Sequence, residues 1–352
     1  MLEGWPGEKL LIKLVETLER GIGAAFRPWQ IKREESARIE ARRREKLLLE
    51  QAEREAAAVR RGEKVLDKDW KLIPAPVPPS TSRALPELRA APFDEAAQLV
   101  SVAAAIPSYT QEAMARELQR AINLRKVAIF AEEEAETLDD KDNVSENDVD
   151  PDWFMKWRTF SQDVSRDEMQ RLWGRVLAGE VRSPGSYSMH SLDFLSRISN
   201  SDADLIAKLA QFRIGKSIFS NSSQPRGNVI HFRELVYLDD INILNGVTTS
   251  LGLNWKNDAQ TSNTARYVIF DSNGLALVLW SDDKEELVMP VYTITLVGQE
   301  IMSLAKVQPN IAYLRDIAKF AAEKGFNRAQ LGRWIPNEAG PGGSASNLVD
   351  FS

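Results

Sequence analysis

The chain contains no cysteine, which excludes disulfides, thiol nucleophiles and thiolate metal sites at once. Two histidines in 352 residues leave little material for zinc binding or for acid–base work near neutral pH. Long apolar runs are missing too. No window of about 18 uninterrupted apolar residues occurs, so no membrane-spanning helix is expected. The first twenty residues carry Glu8, Lys9, Lys13, Glu16, Glu19 and Arg20 where a secretory signal would be apolar, so no signal peptide is read there. A strong excess of one charge is also lacking. With 45 Lys plus Arg against 51 Asp plus Glu, nothing global draws the chain to nucleic acid or to an anionic membrane. These bounds point to the cytoplasm and to a chain long enough for two or three structural units.

Caps, periodicity and aromatic placement agree best over Asp150 to Leu195. Asp150 followed by Pro151 reads as an N-cap with proline in the first turn, and Trp153, Phe154, Trp157 and Phe160 recur at helical spacing. Ser165-Arg166-Asp167-Glu168 has the form of a capping box. Met169, Leu172, Trp173, Val176 and Leu177 then keep one apolar face, with Gly179 expected as a left-handed stop. The tryptophans at this spacing read as core. Stacking of bases or sugars is the weaker use.

Around this segment the chain divides into five regions. Residues 1–64 hold an amphipathic helix over 6–26, whose stripe of Leu11, Leu14, Val15, Leu18, Ile22 and Phe26 needs a cover, and a charged stretch from Gln30 to Arg61. Glu34/Arg38, Glu40/Arg44 and Glu50/Arg54 sit four apart in that stretch, which reads as a helical arm or loose coiled coil of roughly 50 Å. Residues 65–93 hold six of the sixteen prolines and read as an extended linker. Residues 94–186 form a helical domain, with a break expected near Pro107 and a solvated acidic loop over 132–148.

Residues 187–335 begin with short helices at Ser188–Ile198, Asp202–Phe212 and His231–Leu238, then turn β-rich. Strands are expected over Val247–Trp255, Arg266–Phe270, Leu275–Trp280 and Leu287–Thr295, with Asn273-Gly274 as a tight hairpin turn. Helices at Gly298–Lys306 and Ala312–Lys324, the latter stopped by Gly325, close the ordered part. Residues 336–352 are Gly/Ser-rich and expected to be disordered. The fold class is therefore mainly α with a smaller β part: a long N-terminal helical arm, a helical middle and a winged-helix-like α+β C-terminal unit.

Chemistry-bearing motifs are incomplete. Gly215-Lys216-Ser217 resembles the end of a phosphate-binding loop, but Ala210 stands where the first glycine is required. Asp139, Asp140, Asp142 and Asp148 offer hard oxygen ligands, without the mid-loop glycine or distal glutamate of a calcium loop. His190 and His231 have no serine or aspartate partner at a motif spacing. No catalytic residue, cofactor site or metal site is assigned.

Asp152-Trp153, Ser165, Glu168-Met169-Gln170, Leu172-Trp173, Val176 to Glu180 and Pro184 to Ser188 together resemble the core motif of an uncharacterised bacterial family, domain of unknown function 2806. Its family-motif core here is Trp153, Trp157, Met169, Leu172, Trp173 and Leu177. Gly4-Trp5-Pro6, Pro28 to Arg33 and Tyr292 to Gly298 are similar to other parts of the family, while the proline-rich insert around 74–92 departs from it. The resemblance implies no catalytic residues, and it suggests a role in phage defence or regulation.

The function expected from the residues is a non-catalytic interaction or assembly protein that self-associates or binds a protein partner through its N-terminal stripe. One alternative is a DNA-binding winged-helix regulator. Ten Lys/Arg against thirteen Asp/Glu between Tyr187 and Asn310 disfavour it. The other is a membrane-associated effector acting through residues 6–26 beside Arg42-Arg43-Arg44, with Glu8, Glu16 and Glu19 weighing against it. No small-molecule substrate is evident.

Overall fold

A computed structural model describes residues 8–22, 35–66, 71–75, 95–137, 144–221, 229–249, 251–256, 266–283, 286–337 and 342–351. The protein is mainly α with a smaller β part, and the chain divides into two compact units, Met1–Pro184 and Gly185–Ser352.

Unit 1 is built from α1 (Glu8–Ile22), α2 (Glu35–Arg60), a small antiparallel hairpin of β1 (Lys64–Leu66) and β2 (Leu72–Pro74), then α3 (Glu95–Thr137), α4 (Pro151–Ser161) and α5 (Asp167–Arg182). α5 is its axis: Met169, Gln170, Trp173, Gly174, Val176, Leu177, Ala178, Glu180 and Val181 are all buried. α3 and α5 run in the same direction, as Lys126 opposite Asp167 and Arg175 opposite Glu134 show. They approach so closely at Gly174 that an added Cβ would meet the Ala131 nitrogen at 2.8 Å.

The charged stretch expected as an arm set apart by prolines lies along α3 instead. Lys46–Glu133 at 2.5 Å, Glu53–Lys126 at 2.7 Å and Arg60–Gln119 at 3.0 Å step along the two helices in opposite senses. α2 and α3 are therefore antiparallel, with a polar pair every seven residues. Leu49, Ala52, Ala56 and Val59, spaced three, four and three, form the buried to half-buried row between them. Leu47 and Leu48, which obscured that row in the sequence, point to solvent.

Five further expectations in unit 1 are corrected. α3 is one helix of 43 residues that passes through Pro107. Residues 132–137, assigned to a solvated acidic loop, belong to α3, and Glu132 is buried. Part of the 65–93 linker folds as the β1–β2 hairpin, while 76–93 lie outside the described residues. Gly179 does not stop α5, which runs to Arg182; the positive φ falls at Gly185. Asp150 caps α4 as expected, accepting from the Asp152 and Trp153 N–H groups at 2.7 and 3.2 Å. The capping box at Ser165 is absent. Arg166 occupies the N-cap without a side-chain bond, and the Ser165 hydroxyl accepts from Asn123 of α3.

Unit 2 opens with α6 (Met189–Leu195) and α7 (Asn200–Ala210), followed by β3 (Ser217–Phe219), α8 (Phe232–Asp240), β4 (Leu244–Asn245), β5 (Gly252–Lys256), β6 (Arg266–Ser272), β7 (Leu275–Ser281) and β8 (Glu286–Ile294). It ends with α9 (Leu296–Ser303), α10 (Ile311–Glu323), β9 (Arg328–Pro336) and β10 (Gly343–Asp350). One antiparallel sheet has the order β3-β8-β4, with β5 also paired to β8. The other has the order β10-β9-β7-β6. Asn273 and Gly274, with φ of 48° and 87°, make the two-residue turn between β6 and β7 that their sequence predicts. Residues 336–352, expected to be disordered, instead supply β10, which pairs with β9 through a bulge between Ser346 and Val349. Polar strands escape a hydrophobicity-based reading because edge positions bury little.

Tyr313 of α10 is the fully buried centre of unit 2, ringed by Phe212 at 5.3 Å and Phe219 at 6.5 Å. Its hydroxyl accepts from the Phe219 backbone N–H at 2.5 Å, and burial pushes its ionisation far above the ordinary phenol value. Tyr313→Phe leaves that β3 N–H buried without an acceptor, so a loss of about 1–3 kcal/mol is expected. Urea denaturation checks it; an unchanged midpoint would mean that another acceptor takes the N–H.

Candidate functional site

The apolar stripe of α1 is covered from within. Leu10, Leu14 and Leu18 are buried, and Leu11 and Val15 are half-buried. α1 packs on α3, α4 and α5. Gly21 permits the contact with α4, since a Cβ there would lie 2.0 Å from the Phe154 ring. The Ile22 side chain and Phe26 lie outside the described residues. On the polar side, the Lys13 ammonium donates to the Ser145 and Asn147 carbonyls. Arg20 grips Asp148 through two bonds of 2.6 and 2.9 Å, which holds that carboxyl below its ordinary value. Asp148 is thus committed to α1, and Asp139, Asp140 and Asp142 lie outside the described residues.

The family-motif residues form core. Trp157 and Trp173 are fully buried, Trp153 and Met169 are buried, Leu172 is half-buried, and Leu177 is fully buried. The Trp157 indole N–H donates to the Trp173 carbonyl at 3.1 Å, and its ring stands 5.3 Å from that of Phe154. None of these rings is open to a ligand.

The remaining sequence candidates stay apart. Gly215-Lys216-Ser217 leads from a helix into a strand, the reverse of a phosphate-binding loop, and the Gly215 N–H is used by the Asp271 carbonyl at 2.7 Å. His190 and His231 are exposed, and the His231 backbone N–H donates to Glu234 at 2.6 Å to cap α8. Among the described residues no group of three His, Asp or Glu lies within reach of one metal ion. No helix among them is long and apolar enough to cross a membrane.

Besides a pocket of about 290 Å³ between α1 and α4, two open concavities among the described residues bring polar and apolar groups together. The first, in unit 1, is a cleft of about 420 Å³ at the C-terminal end of α2. Arg60 enters it from α2, Arg116, Gln119, Arg120 and Asn123 from α3, and Gln162 to Ser165 from the turn between α4 and α5. A chain of amides forms its floor. Arg60 donates to Gln119, Gln119 donates to Asn123 at 3.0 Å, and Asn123 donates to the Gln162 carbonyl at 2.9 Å. Behind Asn123, the fully buried Gln170 donates to the Val164 carbonyl at 2.8 Å, while its own side-chain oxygen has no partner. Arg120 is held by Asp163 at 2.7 Å and by Glu117 at 2.9 Å.

The second, in unit 2, is a groove of about 630 Å³ between the outward face of β8 and α10. Leu251, Val288, Pro290 and Phe320 wall it, with Glu286 and Lys324 on its rim. Val288 is 51% exposed and Leu251 36%, unusual for a β-branched and a leucine side chain with a ready apolar neighbour. Glu286 also accepts from Asn254 at 2.6 Å, which fixes its carboxylate.

These features define a helical unit joined to an α+β unit in which the concavities are surface sites. Residues 109–318, more than half of the chain, match the family described as Protein of unknown function (DUF2806), and the chain belongs to that family. No curated protein and no solved structure matches it.

Proposed function

We propose that the protein is a non-catalytic interaction protein that binds a protein partner through the groove between β8 and α10. The supporting observation is that groove's make-up: exposed apolar walls at Leu251 and Val288, and one charge of each sign on the rim. The motive for an N-terminal role in capture, expected from the sequence, is weakened because Leu14 and Leu18 of the stripe are buried inside unit 1. The occupant is a partner segment presenting an apolar side chain between an acid that meets Lys324 and a base that meets Glu286. With no cysteine to require oxidation, the reading takes the cytoplasm as its compartment.

A photo-cross-linking residue at Val288 tests this in the native host. Cross-links are expected to converge on one peptide of that charge pattern, and Lys324→Glu is expected to lower the yield about fivefold, as for loss of one rim charge pair. Scattered cross-links insensitive to Lys324→Glu would overturn the reading. A cross-linked peptide from the chain itself would make the partner a second copy.

A second reading, duplex DNA binding by a winged-helix-like module, draws on the strand order β3-β8-β4 with α8 joining β3 to β4. The charge of α8 opposes it: Arg233 is accompanied by Glu234, Asp239 and Asp240. Binding that falls steeply with added salt would support this reading.

A further inference from the structure

The cleft of unit 1 has the composition of a binding site that the proposed protein-partner function does not use. Three guanidiniums, Arg60, Arg116 and Arg120, converge on it from two helices. Arg120 is neutralised by Asp163 and Glu117. Among the described residues Arg60 is engaged only by a neutral amide, and Arg116 has no ion pair even though Glu112 precedes it by one turn. The cleft therefore presents two guanidiniums without an ion pair among the described residues, Arg60 and Arg116, beside the single carboxylate of Glu112. A planar guanidinium with free N–H groups is the side chain best matched to phosphate oxygens.

The surroundings narrow the ligand further. The amide chain from Arg60 through Gln119 to Asn123 fixes these groups before any ligand arrives, which lowers the cost of ordering them on binding. Gln170, fully buried behind Asn123, has no donor to its side-chain oxygen among the described residues. Among the described residues no aromatic ring lines the cleft to stack a nucleobase. On the rim Asp163 is held by Arg120, which leaves the carboxylate of Glu112 as the acceptor for a ligand hydroxyl. We propose that the cleft binds a small hydroxylated phosphate ester, its phosphoryl group on the Arg60 and Arg116 side and a hydroxyl on Glu112.

Glycerol 3-phosphate titrated into the full-length protein at low salt, followed by calorimetry, is the test. Saturable binding with a Kd of about 1 mM or tighter is expected, and Arg116→Ala is expected to weaken it about tenfold. Arg116 is exposed and has no ion pair among the described residues, so the variant is expected to keep its fold, with circular dichroism as the independent check. Inorganic phosphate is expected to compete and acetate not to. Absence of saturation, or equal affinity in Arg116→Ala, overturns the proposal. Failure here leaves the β8–α10 groove untouched, because that surface lies in the other unit.

Discussion

Trp157→Ala is expected to remove about 3–5 kcal/mol from the stability of unit 1. The side chain is fully buried, and α4 contributes Trp153 and Phe154 beside it, so the change empties the middle of the helix's inward face. Its indole N–H is also the donor that ties α4 to the Trp173 carbonyl of α5. Two losses therefore coincide, one of packing volume and one of a buried hydrogen bond. Trp157→Phe keeps most of the volume and loses the donor, and is expected to cost about 1–2 kcal/mol. Urea denaturation with hydrogen exchange read at α4 and α5 separates unit 1 from unit 2. A loss below about 1 kcal/mol for Trp157→Ala would mean that the site collapses around the cavity and that α4 is not anchored by this ring.

The local signals around Trp157 were legible because they are self-contained. Asp150 caps α4 with its own side chain, and the aromatic stripe faces one direction whatever it meets. Ser165 shows the opposite case. Its sequence context specifies a capping box, yet its hydroxyl is taken by Asn123, 42 residues earlier in the chain, a competitor that no local pattern contains. The α1 stripe is extended by similar means. The expected stripe includes Leu14 and Leu18, which are buried, and Leu11 and Val15, which are half-buried, while packing against three helices also buries Leu10, which the stripe left out. The polar strand β10 is also a tertiary outcome, in which edge pairing overrides composition. The cleft was illegible for a geometric reason. Its cations stand at 60, 116 and 120 and its floor at 123 and 162–165, and only the antiparallel pairing of α2 with α3 brings them together.

That dependence on helix position leads to the second large effect. Gly174→Val is expected to cost unit 1 about 3 kcal/mol, and Gly174→Ala somewhat less. A Cβ at this position lies 2.8 Å from the Ala131 nitrogen and 2.9 Å from the Phe130 carbonyl carbon, backbone atoms that cannot swing aside as a side-chain tip would. Alanine regains roughly 1 kcal/mol of helix propensity over glycine, which the overpacking outweighs; valine adds two methyl groups to the clash and regains less. Relief comes only if α5 moves off α3. Gln170 stands one turn before Gly174 and reaches Asn123 at 3.4 Å, so that movement breaks the link beneath the cleft before it disturbs Arg60 or Arg116. The expected result is a lower urea midpoint in both variants, with weaker glycerol 3-phosphate binding in Gly174→Ala at temperatures where it remains folded. Stability equal to that of the parent chain would show that α3 and α5 slide past one another at little cost, and the close approach at Gly174 would then not be what positions the cleft.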